Sequence, residues 1–343
     1  MEGPPRPHDM SYPGKVLVTI ALLALALAAW HLRHLFLLVF AGLLVATVLV
    51  ALAGRVRRLT HLSHRLAVIV CVILACALLA ALGWFVGGVL VAQAGELASR
   101  LPGALAAARA WLETSPVGPY VVQLWDDVRA HDVSWSRVAG AAGLTLGIAG
   151  DTLLVLLVGV FIAAEPQLYR QGLLRLLPTA HRRAVGDALD CCGGGLRGWL
   201  KGQALSMTFV GLATGVGLSL LGVPLALVLG IVAAMLDFVP FFGPIVSGGL
   251  AVLLSLSEGP QVAMQVAILV LAIQQVEGNL VVPLVQRHTV HLPPAVGVVS
   301  VVVAAGLFGL TGVLLATPLA VVAMLLVKAL YVEAALEGAP ARR

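Results

Sequence analysis

Charge is what this sequence has least of. Only 11% of its residues are Asp, Glu, Lys or Arg, where a soluble domain carries about 25%. A chain so poor in charge is not an ordinary water-soluble protein. Cysteine is scarce too, at four residues in 343. Cys71 and Cys76 fall in an apolar stretch and Cys191-Cys192 in a polar one, none at metal-ligand spacing, so they read as small hydrophobes or inert thiols. There is no Walker motif, cofactor fingerprint or nucleophile–base pair. Gly193-Gly194-Gly195 lacks both a following lysine and a preceding strand, which excludes a phosphate loop. An enzymatic or ATP-driven mechanism therefore has no residues to carry it, and neither a cofactor nor a metal is expected. The net charge of +5 is spread over short loops, which excludes nucleic acid as a partner.

What the sequence does have is apolar length. Sixty percent of the residues are hydrophobic and the mean hydropathy is +1.04. The pattern predicts an all-α polytopic membrane protein of about seven or eight transmembrane helices, with two short proline-broken arms and amphipathic inserts. A polar, proline-rich tail covers 1–14, and three spans occupy 15–91: Val16–Trp30, Leu35–Ala53 and Leu66–Val91. Residues 92–137 carry charges and Trp111, Trp125 and Trp135, with Leu97, Leu101, Leu105 and Leu112 at helical spacing. They read as an amphipathic insert on the outer side. A fourth span follows at 138–164, then a basic amphipathic region at 165–203. The C-terminal membrane region, 204–330, opens with a glycine-rich span in which Gly211 and Gly215 fit a small-xxx-small packing face. A short polar tail, 331–343, ends the chain.

Basic residues orient this layout. With both termini in the cytoplasm, only Arg33, Arg100, Arg109, Arg129 and Arg137 of the 21 basic residues lie outside. The reversed topology would invert that ratio. A multi-pass membrane protein with both termini inside is the matching expectation.

The stretch Asp237-Phe238-Val239-Pro240-Phe241-Phe242-Gly243-Pro244 breaks the rules of a membrane helix. Pro240 and Pro244 in a continuing helix would leave the carbonyls of Leu236 and Pro240 without donors, and lipid supplies none. A broken helix with a carboxylate at membrane depth is the form of a transport site. The two arms flanking it, 224–239 and 245–256, either cross or re-enter. Asp237, Pro240, Gly243 and Pro244 are thus candidates for a transport path. The alternative for Asp237 is a cap on N–H groups freed at the break. Gln274, Gln275, Glu277 and Asn279 add a polar helical end suited to a hydrophilic solute or a cation, unless that end simply lies at the interface. Asp151, deep in the fourth span beside Gly147 and Gly150, either joins the path or locks the bundle by pairing with a base or hydroxyl. His288 and His291 flank a loop without further ligands, which argues against a metal site there.

Four motifs in order resemble one known family. These are Asp237 to Gly249; Gln275-Val276-Glu277-Gly278-Asn279 leading to Pro283; Val290-His291-Leu292-Pro293-Pro294-Ala295; and Gly306-Leu307-Phe308-Gly309-Leu310-Thr311-Gly312 leading to Pro318. Together with Ala164-Glu165-Pro166-Gln167, they resemble the autoinducer-2 exporter family, also described as PerM-like permeases. Residues 1–137 match only in layout, and Asp151 belongs to none of the motifs. The resemblance implies an inner-membrane permease exporting a small hydrophilic solute such as the quorum-sensing signal autoinducer-2. Some relatives are assigned to sodium/proton exchange, so a cation/proton antiporter is the alternative, with Asp237, Asp151 or Glu277 as the exchanging carboxylate. A non-transporting scaffold docking partners through 92–137 or 165–203 is a third reading. A homo-oligomer embedded in the lipid bilayer is implied by the family.

Overall fold

The computed structural model describes residue 27 and residues 31–113, 144–240, 242–283 and 293–331. The expected span Val16–Trp30 apart from Leu27, the insert from residue 114 on, residues 138–143 of the fourth span, the His288–His291 loop, and residues 1–14 and 332–343 of the tails lie outside the described residues.

Every described element is helical. α1 is Arg33–Thr60, α2 His64–Glu113, α3 Leu144–Ala164 and α4 Pro166–Arg175. α5 is Thr179–Leu220, α6 Ala226–Leu236, α7 Phe242–Ser255, α8 Pro260–Val276 and α9 Pro294–Val327. Prolines mark the starts: Pro166, Pro260 and Pro294 open α4, α8 and α9, where a missing N–H leaves no bond unmade. Among the described residues, five helices are long and apolar enough to cross a membrane, counting α9 across its break at Gly309 as one, and α3 with α4 forms a sixth candidate bent by 88°.

The two polar regions, 92–137 and 165–203, differ from the expected layout where they are described. α2 does not stop at the membrane face but runs through Pro102 to Glu113, about 75 Å at the helical rise. Its far half reaches the base of α5–α8, where Ala104 is buried with Leu218, Leu254 and Val266 and Arg100 meets Glu258 at 2.8 Å. The first half of the expected insert is therefore a continuation of the third span. Likewise α5 is one helix joining the basic region to the glycine-rich span.

α1 and α3 pack backbone to backbone. A Cβ on Gly42 would lie 2.7 Å from Val158, and one on Gly159 would lie 2.8 Å from Val45. The Gly211–Gly215 face packs as the spacing predicts: a Cβ on Gly230 of α6 would lie 2.8 Å from both the Gly211 carbonyl oxygen and Gly215 Cα. In lipid such close approach substitutes for the hydrophobic drive that water would supply.

Two helical hairpins dominate the C-terminal half. α6 and α7 fold back on each other about residue 240, bringing Leu229 and Ala251 into one buried cluster. Their 11 and 14 residues span about 16 and 21 Å, short of the roughly 30 Å hydrocarbon core. α9 does the same at Gly309, whose φ of 63° and ψ of −145° are not helical. A Cβ on Gly312 would press on the Ala304 carbonyl and lie 2.7 Å from Phe308 Cβ. Eight residues of straight helix would separate Ala304 and Gly312 by about 12 Å, so the chain has doubled back. The arms are 294–308 and 310–327, close to the apolar runs Ala295–Phe308 and Val313–Leu330 that the sequence shows on either side of the Gly309 region. The hairpins touch: Val239 at the first tip is buried with Val301, Ala304 and Ala316 of the second.

Candidate functional site

The first break is built by local turns. α6 makes its last regular bond from Asp237 N–H to the Ala233 carbonyl at 2.9 Å. Val239 N–H then donates to the Leu236 carbonyl at 3.0 Å and Phe242 N–H to the Pro240 carbonyl at 2.9 Å. The two carbonyls that a continuing helix would orphan are thus satisfied within the turn, and are not left over to bind a solute. Pro244 falls in the first turn of α7, where no N–H is needed. Gly243 lets the chain close: a Cβ there would lie 2.7 Å from Asp237 N and nearer still to the Leu236 carbonyl.

One carbonyl does need outside help. The Asp237 carbonyl accepts from Gln203 Nε2 of α5 at 2.8 Å. Trp199, one turn before Gln203, meets Phe238 edge to face at a centroid distance of 5.9 Å. α5 therefore braces the break from the side through residues at helical spacing: Trp199, Gln203 and Ser206.

Asp237 itself is only 3% exposed, and its Oδ2 is buried without a hydrogen-bond partner. The charged group acting on it is a second carboxylate, Glu277, and its carboxylate also interacts with Ser206. Ser206 Oγ donates to Glu277 Oε1, so one hydroxyl stands between two acids. Glu277 is placed by a π-helical turn, Glu277–Val281, that closes from Val282 N–H to the Glu277 carbonyl. Such turns re-aim side chains and recur at functional sites.

These groups open onto a cavity of about 820 Å³, within the size range of small-molecule sites. Asp237, Pro240, Pro244, Gln274 and Glu277 line it, so five of the sequence-derived candidates converge. Three further candidates on these segments do not line it. Gly243 serves the turn, and Asn279 bonds back to Gln275 through Nδ2, at 2.9 Å to the carbonyl and 3.0 Å to Oε1, on the exposed face. Asp151 pairs with His34 Nε2 of α1 at 2.9 Å, both half-exposed, and is not among the lining residues. Among the described residues, nothing lies within 4 Å of a Cβ placed on Gly147 or Gly150, so no described backbone uses the room they leave.

The sequence reading missed Trp199, Gln203, Ser206 and Thr317, all of which line the cavity. The 199–203–206 spacing on α5 was a usable signal, obscured by the basic residues around it. Thr317 of the second arm carried none. Gly297 and Val321, each twelve residues from Gly309, both line the cavity, as the doubled-back α9 requires. Among the described residues, no group of three or more His, Cys, Asp or Glu side chains could hold a metal ion.

A polytopic helical protein whose broken hairpin, second hairpin and flanking helices enclose a polar-floored cavity has the architecture of a membrane permease. The chain belongs to the AI-2E transporter family, whose sequence profile matches residues 19–331. It is 27% identical over 268 residues to MT0215 of Mycobacterium tuberculosis, covering 75% of this chain and 72% of that protein. It is 30% identical over 187 residues to PerM of Escherichia coli K12, covering 53% and 52%. With YueF of Bacillus subtilis it shares 31% identity over 145 residues, covering 42% of this chain but only 39% of the relative. The names of these relatives describe transport proteins or a permease and state no substrate.

Proposed function

We propose that this chain is a multi-pass secondary permease of a bacterial inner membrane, passing a small hydrophilic solute through the cavity beside the Asp237–Pro244 break. The observation that carries the reading is a buried, unpartnered carboxylate oxygen at a helix break, opening on a cavity large enough for an organic solute. A charge at the centre of a bilayer costs at least about 2.5–3.5 kcal/mol, and Oδ2 has no hydrogen-bond partner to offset it. The first hairpin re-enters in this reading, because its arms of 11 and 14 residues are too short to cross. Both termini lie in the cytoplasm, supported by the distribution of basic residues. Autoinducer-2 is the solute the family's description suggests.

A second reading, cation/proton antiport, is favoured by the same free oxygen and by its proximity to Glu277. Proteoliposomes assayed side by side with autoinducer-2, sodium and small neutral and charged organic solutes test both. The permease reading expects flux of an organic solute that falls in Asp237→Asn. Sodium-dependent proton flux lost in Asp237→Asn selects the antiporter instead. Flux that Asp237→Asn leaves untouched contradicts both.

A further inference from the structure

We propose that the cavity recognises an organic cation bearing N–H donors, a protonated primary amine, held between the Asp237 and Glu277 carboxylates with its carbon chain against the apolar wall. This deepens the permease reading and rests on it. The chemistry comes from what faces the cavity. Asp237 Oδ2 is an acceptor without a donor, in a side chain almost wholly buried. The charge acting on it is that of a second carboxylate, Glu277, and Ser206, the hydroxyl between them, already gives its proton to Glu277. Among the described residues, no Lys, Arg or His lines the cavity. Among the described residues, the site therefore offers acceptors in excess and negative charge without a counter-charge. An anion would be repelled, and a neutral polyol would leave that charge uncompensated. An ammonium group supplies both the missing donor and the missing charge.

The rest of the wall decides against a bare alkali cation. Such an ion takes most of its ligands from oxygen, yet the break's carbonyls already accept bonds from Val239, Phe242 and Gln203. Apart from the side chains of Ser206, Gln274 and Thr317, what remains is mostly apolar, with Ile245, Val252, Val270 and Leu271 along α7 and α8. That surface suits a methylene chain. Trp199 also lines the cavity, and an indole face adds attraction for a cation.

The test is equilibrium binding of radiolabelled putrescine to the full-length protein in nanodiscs, with unlabelled competitors. 1,4-Butanediol has the same chain with hydroxyls in place of ammonium groups. Putrescine should compete at least about tenfold better than butanediol, and Asp237→Asn and Glu277→Gln should each weaken it by at least about tenfold. Asp151→Asn, which removes a carboxylate outside the cavity, should change it less than about twofold. Should Asp237→Asn fail to elute as a monodisperse peak, Glu277→Gln carries the test alone. Equal competition by butanediol, displacement by sodium chloride at matched concentration, or indifference to both variants would each overturn the proposal. Flux in proteoliposomes separates this from the reading beneath it. Movement of butanediol but not putrescine refutes the amine and keeps the permease, whereas binding without any flux keeps the amine site and refutes the permease.

Discussion

Replacing Gly243 by alanine puts a methyl group into the tip of the first hairpin. The Cβ would lie 2.7 Å from the Asp237 nitrogen and closer to the Leu236 carbonyl. Both are backbone, so no side-chain rotation relieves the clash. Ordinary contact needs about 3.5 Å, so the tip must open by roughly 1 Å. That opening stretches the Gly243 N–H bond to the Val239 carbonyl, now 2.9 Å. Overpacking of this kind costs about 1–3 kcal/mol, against a gain of at most about 1 kcal/mol from the better helix propensity of alanine. Gly54→Ala is the internal comparison: Gly54 lies within α1 with nothing within 4 Å, so it keeps the propensity gain and pays no clash. Unfolding in detergent, followed by circular dichroism, should show Gly243→Ala less stable than wild type by about 1–2 kcal/mol net and Gly54→Ala unchanged or more stable. Equal stability of the two variants would refute the close tip, and with it the folded-back geometry of α6 and α7.

Gln203→Leu keeps the side-chain bulk but orphans the Asp237 carbonyl, and should cost about 1–3 kcal/mol in the same unfolding assay; a neutral effect would mean that α5 does not brace the break. Asp151→Asn breaks a half-exposed pair with His34 and should change stability by no more than about 1 kcal/mol, with solute flux preserved in proteoliposomes. Gln274→Ala should lower flux while Gln275→Ala leaves it near wild type, because only the first lines the cavity.

How far these contrasts could be read in advance differs from residue to residue. Asp237, Pro240 and Pro244 stood out because each is costly in a membrane helix, and the break lies where they put it. Gly211 and Gly215 were legible because small residues at i and i+4 have one main use in lipid. Gln274 and Gln275 were not separable. Adjacent residues on a helix point about 100° apart, but the register of the end depends on the π-helical turn at Glu277, which no propensity rule supplies. The doubling-back at Gly309 was visible only as two apolar runs; a glycine among several glycines does not announce which one takes a positive φ. Which of the two readings of Asp151 applies, path or pairing with a base, was not legible for a related reason. Depth along a span tells nothing about which face its carboxylate is on, and His34, its partner, sits in another helix 117 positions away.

The central claim is that water and solute reach the broken hairpin through the cavity. It is tested by single-cysteine labelling in membranes, after Cys71, Cys76, Cys191 and Cys192 are replaced by alanine. Gln274→Cys should react with a membrane-impermeant methanethiosulfonate, and a cavity ligand should slow that reaction. Val68→Cys, in the packed core of α1–α3, should stay inert. A Gln274→Cys thiol as unreactive as that at Val68→Cys would contradict the account, because the break would then be dry and sealed.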